Sequence, residues 1–293
     1  MTTQSAEQTR HLMQSGDRGA WSLAALTVAL AESGSEEQMR AAVDLLGALG
    51  IDVRADLGEL DRAGAAAQAA APLLQTAALV SGDGMLWAGQ SNEALLTQGR
   101  ASAQGAAAFV QFGLPRLPGL AEALARPGAR MLDIGTGVAA LAVAYAELFP
   151  ELTVIGVDVL PHVLGLAAEI VAASTVADRV VLREQDVSTL DDEAAYVLAW
   201  IPAPFVPPGA LRAGMPRLAR ALAPGGWAMV GHGKYAGDPV EDALSRFKTV
   251  AYGGTALNDD QAQQMLRDVG LGNVMTLPTP LGAPAITVGR NGF

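Results

Sequence analysis

Cysteine is absent from the 293 residues, which excludes a disulfide framework, thiolate metal sites and a Cys nucleophile and leaves the redox compartment undecided. Basic residues are scarce too: 19 Lys and Arg stand against 30 Asp and Glu, a formal charge of −11. A partner gripped through many phosphates needs a cation at each contact, so neither nucleic acid nor an anionic membrane is an expected partner. Histidine occurs three times, and no two His and carboxylates stand at ligand spacing, so no intrinsic metal is expected. Apolar runs are interrupted by Glu, Asp, Gly or Pro well short of 18 residues, and none is expected to span a bilayer. The opening MTTQSAEQTR lacks the basic-then-apolar order of a signal peptide, which makes a cytoplasmic protein the expectation.

What is present in quantity is apolar surface, at 51% of residues, more than one small core needs. The first third reads helical. Trp21, Leu23, Leu26, Val28 and Leu30 can form the buried side of one helix, closed by Gly34. Ser35 then opens a second as an N-cap, with Met39, Val43, Leu46 and Leu49 running to Gly50. Further helices are predicted over 60–80 and 93–112. The segment 115–127, punctuated by Pro118 and Gly119, suits a hinge or linker helix, and the boundary between a helical domain (1–115) and a second domain (116–293) is placed there.

After Gly128 short β-rich runs alternate with helix-length amphipathic ones, the pattern of an α/β fold with a mostly parallel sheet. Seven strands are predicted at 130–134, 153–157, 180–183, 195–200, 227–230, 273–277 and 285–288. Helices are predicted at 138–149, 161–174, 209–222, 240–249 and 259–269. Ligands of such sheets sit beyond the C-terminal ends of the strands, so the residues there carry the functional argument.

The first strand runs into Asp133-Ile134-Gly135-Thr136-Gly137-Val138-Ala139-Ala140. Gly135-x-Gly137-x-x-Ala140 satisfies a dinucleotide fingerprint, a tight turn that brings backbone close to a ligand at a helix N-terminus. Asp133 argues otherwise: a carboxylate ahead of the turn repels a pyrophosphate and attracts a cationic amino group. S-adenosylmethionine carries an amino group and a sulfonium and no phosphate. The second strand ends at Asp158, placed to accept both ribose hydroxyls, and Asp186 after the third is placed either for an adenine amine or as an N-cap acid.

The series Leu132-Asp133-Ile134-Gly135-Thr136-Gly137, Gly156-Val157-Asp158, Gln185-Asp186-Val187 and Pro224-Gly225-Gly226-Trp227 closely resembles the sequential motifs of class I S-adenosylmethionine-dependent methyltransferases over residues 128–290. The resemblance implies a Rossmann-like seven-stranded sheet. It also implies that Gly135, Gly137 and Asp133 hold the methionine part of the cofactor, Asp158 its ribose, and Asp186 with Val187 its adenine. Arg100, on a polar helix that also carries Gln98, Ser102 and Gln104, is a candidate clamp for the cofactor carboxylate. Trp200 offers an aromatic face to the sulfonium. Trp87, Phe205, Tyr235 and Tyr252 are the candidate substrate-binding aromatics.

Leu45-Leu46-Gly47-Ala48-Leu49-Gly50-Ile51 is similar to the helix preceding the wing in the dimerisation domain of plant-type O-methyltransferases, which implies a homodimer. Residues 52–60 leave a winged helix and a plain helical cap both open. Plant-type enzymes place a His base just after strand four, where this chain reads Leu198-Ala199-Trp200-Ile201-Pro202-Ala203-Pro204-Phe205. His232, after the fifth strand and between two glycines, is the candidate base instead. The implied activity is methyl transfer to a small organic acceptor, an oxygen on an aromatic or natural-product-like scaffold. N- or C-methylation, an NAD-dependent oxidoreductase and a non-catalytic adenosyl-binding protein are the alternatives.

Overall fold

The computed structural model describes residues 3–52, 62–81, 87–234, 237–279 and 284–292. Three helices come first: α1 (Thr3–Ala31), α2 (Glu36–Ala48) and α3 (Arg62–Ser81). The expected cap of α2 is a full capping box, in which Gln38 N–H donates to Ser35 Oγ at 3.2 Å and Ser35 N–H donates to Gln38 Oε1 at 2.8 Å. The bundle core is built from small residues, Ala25, Ala29, Ala42 and Ala66, with Leu30 and Leu46. Leu26, Val28 and Leu30 of the expected face of α1 pack on this core, and Trp21 does not. Alanines bring the helix axes close, and Trp21 is left 66% exposed on the flank, its Nε1 donating to Asp17.

The membrane reading of the sequence also changes, because α3 continues through Pro72 for 20 residues and is long and apolar enough, by length and composition alone, to cross a bilayer. Its Gly64, Ala66, Ala67, Ala69 and Ala71 are nevertheless buried, and the helix packs between α1 and α4 (Asn92–Ala108). The residues 53–61, where a wing was left open, lie outside the described residues.

The helix predicted to run to 112 stops at Ala108 and changes to a π-helical turn, Phe109–Gly113. Gly113 makes room for the Phe109 ring, which a Cβ there would meet at 2.6 Å. A short 3-10 turn, Leu114–Arg116, and α5 (Leu120–Leu124) follow. Ala106, Phe109, Leu117, Leu120 and Leu124 all lie in the core beneath the sheet. The passage from one core to the other therefore takes place within α4, and segment 115–127 is a packed connection.

The sheet comprises β1 (Arg130–Ile134), β2 (Thr153–Asp158), β3 (Val180–Glu184), β4 (Tyr196–Pro202), β5 (Leu222–His232), β6 (Gly272–Leu277) and β7 (Ala285–Arg290). Their order is β3-β2-β1-β4-β5-β7-β6, parallel except for β7, which runs antiparallel to both its neighbours. Side-chain alternation splits the core in two. Met131, Val154, Leu198 and Met229 face α5, α6 (Ala140–Leu148) and α7 (Pro161–Ala173). Leu132, Ile155, Ala199 and Val230 face α8 (Pro208–Ala221) and α10 (Asp259–Asp268). Helix α9 (Pro239–Ala251) stands outside both layers with only Thr249 buried. The chain order reverses between β1 and β4, which opens a crevice at their C-terminal ends.

Candidate functional site

The turn after β1 is shaped by alternating left-handed residues, with φ of +64° at Gly135, +57° at Gly137 and +60° at Ala139. Pro202, at the tip of β4, stands 3.7 Å from where a Cβ on Gly135 would lie, and nothing lies within 4 Å of the equivalent point at Gly137. That open side is where a ligand can meet backbone. Thr136, between the glycines, sits on Gly156 of β2 and donates to Asp133 Oδ2 at 2.7 Å. A side chain at Gly156 would displace it.

Asp133 is 1% exposed. Burial pushes its carboxyl up to about 7, against the lowering effect of the Thr136 hydroxyl, and the neighbouring Asp158 adds repulsion. The structure buries it beneath the turn, with its carboxyl bonded to the Thr136 hydroxyl.

Asp158 is half-buried at the tip of β2 and accepts from Gly137 N–H at 2.9 Å and from Leu160 N–H at 3.0 Å. A carboxylate has about four lone-pair positions, so two remain for a diol. Asp186 caps a 3-10 turn by accepting from Ser188 N–H at 2.7 Å and is likewise half-buried. The Val187 side chain is buried against Gly214 of α8, which leaves its backbone as the part that a ligand can reach.

Helix α4 closes this side. Leu95 of α4, Val138 of the turn and Val163 of α7 form one buried cluster, with Trp87, Leu96 and Leu160 packed on it. The Cα of Gly99 abuts Val138, where a Cβ would come within 2.2 Å of Cγ2. The next residue, Arg100, is exposed, with only a 3.4 Å contact to Thr97 Oγ1, and is thus placed at the rim. Trp200 stands opposite Asp133 in the sheet register, and its indole lies over Gly231 of β5. It is half-buried on the face that holds the cofactor-side core.

Three of the four predicted substrate aromatics meet. Trp87, Phe205 and Tyr252 form a closed cluster with ring centroids 5.0 Å (Trp87–Phe205), 5.4 Å (Trp87–Tyr252) and 5.0 Å (Phe205–Tyr252) apart. Phe205 belongs to the 3-10 turn Ala203–Phe205 that follows β4. Tyr252 follows α9 and is brought in by close backbone packing at Gly254, where a Cβ would strike the Pro204 carbonyl, and by the Thr255 N–H bond to Ala203 O at 2.8 Å. The fourth aromatic, Tyr235, lies outside the described residues.

The base reading of His232 is overturned by its surroundings. The residue is 0% exposed, its Nδ1–H donates to Gly233 O at 2.9 Å, and its Nε2 accepts from Thr287 Oγ1 at 2.8 Å. Thr287 in turn accepts from Thr276 at 2.9 Å, and Thr276 from Gln263 Nε2 at 3.2 Å. Burial pulls the imidazole below its usual value, so it is neutral, and with both nitrogens engaged it joins three strands and has no lone pair for an acceptor.

Two contributors escaped the sequence reading. One is Thr136, whose position between two glycines was its signal. The other is Gln75 of α3, which accepts from Tyr252 Oη at 2.5 Å.

These residues fit an adenosyl ligand that carries a positive charge and no phosphate: a buried acid without a countercharge, an open glycine turn and a second acid with free lone pairs. Residues 131–226 match the family described as methyltransferase domain. The chain resembles PigF solved with SAH over 99% of its length and 100% of that chain, at 17% identity and a TM-score of 0.62. The mitomycin 7-O-methyltransferase MmcR aligns over 99% and 100% at 19% identity and a TM-score of 0.56. Human N-acetylserotonin methyltransferase in complex with SAM aligns over 98% of both chains at 17% identity and a TM-score of 0.57. No curated protein sequence matches the chain. The sheet order, the glycine turn and the match of residues 131–226 to a methyltransferase domain agree with one another, and the likeness to these solved structures is one of fold.

Proposed function

We propose that the chain methylates a hydroxyl oxygen on a small planar acceptor. The observation that carries this reading is the Trp87, Phe205 and Tyr252 cluster, set between the tip of β4 and the helix that covers the glycine turn. Flat apolar ring faces suit a planar molecule and exclude water from it. The likeness to a mitomycin 7-O-methyltransferase supports oxygen as the acceptor atom.

S-adenosylmethionine supplies an activated methyl group, and the residues here supply position and dryness. Gly135 and Gly137 give backbone approach, Asp158 holds the ribose, Asp133 favours the positive charge from below, and the aromatic cluster orients the acceptor. Because His232 is engaged, nucleophilicity comes from the acceptor's own ionisation. Turnover is then expected to rise with pH through the acceptor's own pKa.

Calorimetric titration with S-adenosylmethionine, S-adenosylhomocysteine and NADH, followed by mass analysis of hydroxyaromatic acceptors incubated with S-adenosylmethionine, tests the proposal. Binding of the adenosyl ligands, no response to NADH and an O-methylated product are expected. Product methylated on nitrogen or carbon alone removes the oxygen assignment.

The working form is proposed to be a homodimer. Leu12, Met13 and Trp21 leave α1 with large apolar side chains 66–72% exposed, which a second copy can cover. Light scattering is expected to give twice the chain mass of 30.0 kDa, and a mass of one chain refutes the dimer.

A further inference from the structure

The helical domain reaches into the aromatic cluster by a string of polar side chains that no requirement of the bundle explains. Tyr252 Oη donates to Gln75 Oε1 at 2.5 Å, Gln75 Nε2 donates to Gln98 Oε1 at 2.6 Å, and Gln98 Nε2 donates to Ser102 Oγ at 3.0 Å. The string joins α3, α4 and the segment after α9, whose first link spans 177 positions of chain. Gln75 is half-buried on α3, where an amide carries a desolvation cost that its two partners offset. An apolar residue there would serve the packing of α3 as well.

The direction of the string matters. Each amide turns its carbonyl toward Tyr252 and its NH2 toward Ser102, so the bonds polarise one another in one sense. Tyr252 gives its one proton to Gln75, which leaves the phenol oxygen with accepting capacity alone. Burial pushes the Tyr252 phenol above its usual value, so it stays protonated and binds without acting as a base. Trp87, stacked on Tyr252, has its Nε1 buried with no partner among the described residues, so the cluster also holds a spare donor.

We propose that Gln75 is a positioning residue: by taking the Tyr252 proton it turns the phenol oxygen into an acceptor for the O–H of the neutral substrate, the form that binds before the acceptor ionises, so that the site selects planar molecules that carry a hydroxyl over the same ring without one. The inference rests on the reading of the aromatic cluster as the acceptor site.

The test uses the full-length protein, with and without S-adenosylhomocysteine, titrated with 1-naphthol and with 1-methoxynaphthalene, a matched pair in which only the second lacks the O–H. Wild type is expected to prefer 1-naphthol by about tenfold, the worth of one hydrogen bond into a partly buried site. Gln75→Leu and Tyr252→Phe are expected to bring the two probes within about twofold of each other while S-adenosylhomocysteine affinity is unchanged. Gln75→Glu keeps an acceptor oxygen for the phenol and is expected to restore the preference, which a merely structural role would not predict. The inference is overturned if wild type does not discriminate, or if Gln75→Leu discriminates as wild type does. Failure of wild type to bind S-adenosylhomocysteine overturns the methyltransferase reading separately, because the naphthol ratio is measured with or without it.

Discussion

The two halves of the site are built in opposite ways. The proposed cofactor half uses residues at the ends of adjacent strands: Asp133 within β1, Asp158 at the end of β2 and Asp186 just past β3. The acceptor half draws Gln75, Trp87, Phe205 and Tyr252 from four separated segments. The strand-tip acids thus follow from the sheet, whereas the aromatic cluster proposed as the acceptor site forms only where the helical bundle packs on the sheet domain. A class of enzyme can in this way keep its cofactor half and vary its substrate by changing contacts that cost the sheet nothing.

The largest effect expected within the cofactor half belongs to Asp133. The unfolded chain ionises this group near 3.8 and the native one near 7, so between those values the native state keeps a proton that the unfolded state has released. The contribution to stability is full below about pH 4 and is lost as pH rises through about 7. Asp133→Asn is expected to remove that slope and to be more stable than wild type above pH 7, by about 3–4 kcal/mol as an order of magnitude. It is also expected to bind S-adenosylmethionine less well. Denaturant titrations of both proteins from pH 4 to 8 check the first point, and parallel slopes would mean that Asp133 is ionised and compensated in the native state.

Asp158→Ala comes next. Two hydrogen bonds to a charged group are worth about 3 kcal/mol together, so affinity for S-adenosylhomocysteine is expected to fall about a hundredfold. The 1-naphthol preference is expected to hold if the two halves are independent. Near-wild-type affinity in a calorimetric titration removes the ribose assignment, and a lost preference joins the halves.

How far these halves are legible in the sequence differs accordingly. All seven strands are readable because β-branched and apolar runs are bounded by turn residues, and the three acids stand out because Asp133 interrupts the end of one run and Asp158 and Asp186 follow theirs. Trp87, Phe205 and Tyr252 can be singled out as aromatics but not joined, since their meeting depends on Gly254 pressing against the Pro204 carbonyl. His232 misleads for the same reason. Its local setting between glycines suggests access, while its burial is decided by Thr287 on β7, 55 positions away. On α1 the large Trp21 draws the eye, yet helix spacing is decided by Ala25 and Ala29.

His232→Leu sharpens that point. It removes the donor to the Gly233 carbonyl and the acceptor for the Thr287 hydroxyl, which keeps only Thr276, and the expected loss is about 2 kcal/mol of stability with turnover per folded molecule retained. Turnover that collapses in a variant shown by circular dichroism to be folded would return His232 to the acceptor half as a catalytic group.

The smallest effect is expected at Ala139, and it asks whether the cofactor turn is a property of backbone alone. A non-glycine residue at φ +60° costs about 1–2 kcal/mol relative to the right-handed region. Glycine removes that strain, but it forfeits a fully buried methyl worth about 0.8 kcal/mol and adds about 0.5–1 kcal/mol of unfolded-state entropy. The terms offset, so Ala139→Gly is expected to leave stability within about 0.5 kcal/mol of wild type and S-adenosylhomocysteine affinity unchanged. Ala139→Val keeps a Cβ and adds branching in the same left-handed position, so it is expected to lose both. If glycine instead weakens cofactor binding, the Ala139 methyl itself shapes the turn, and the contrast between a cofactor half set by backbone and an acceptor half set by side chains is no longer so sharp.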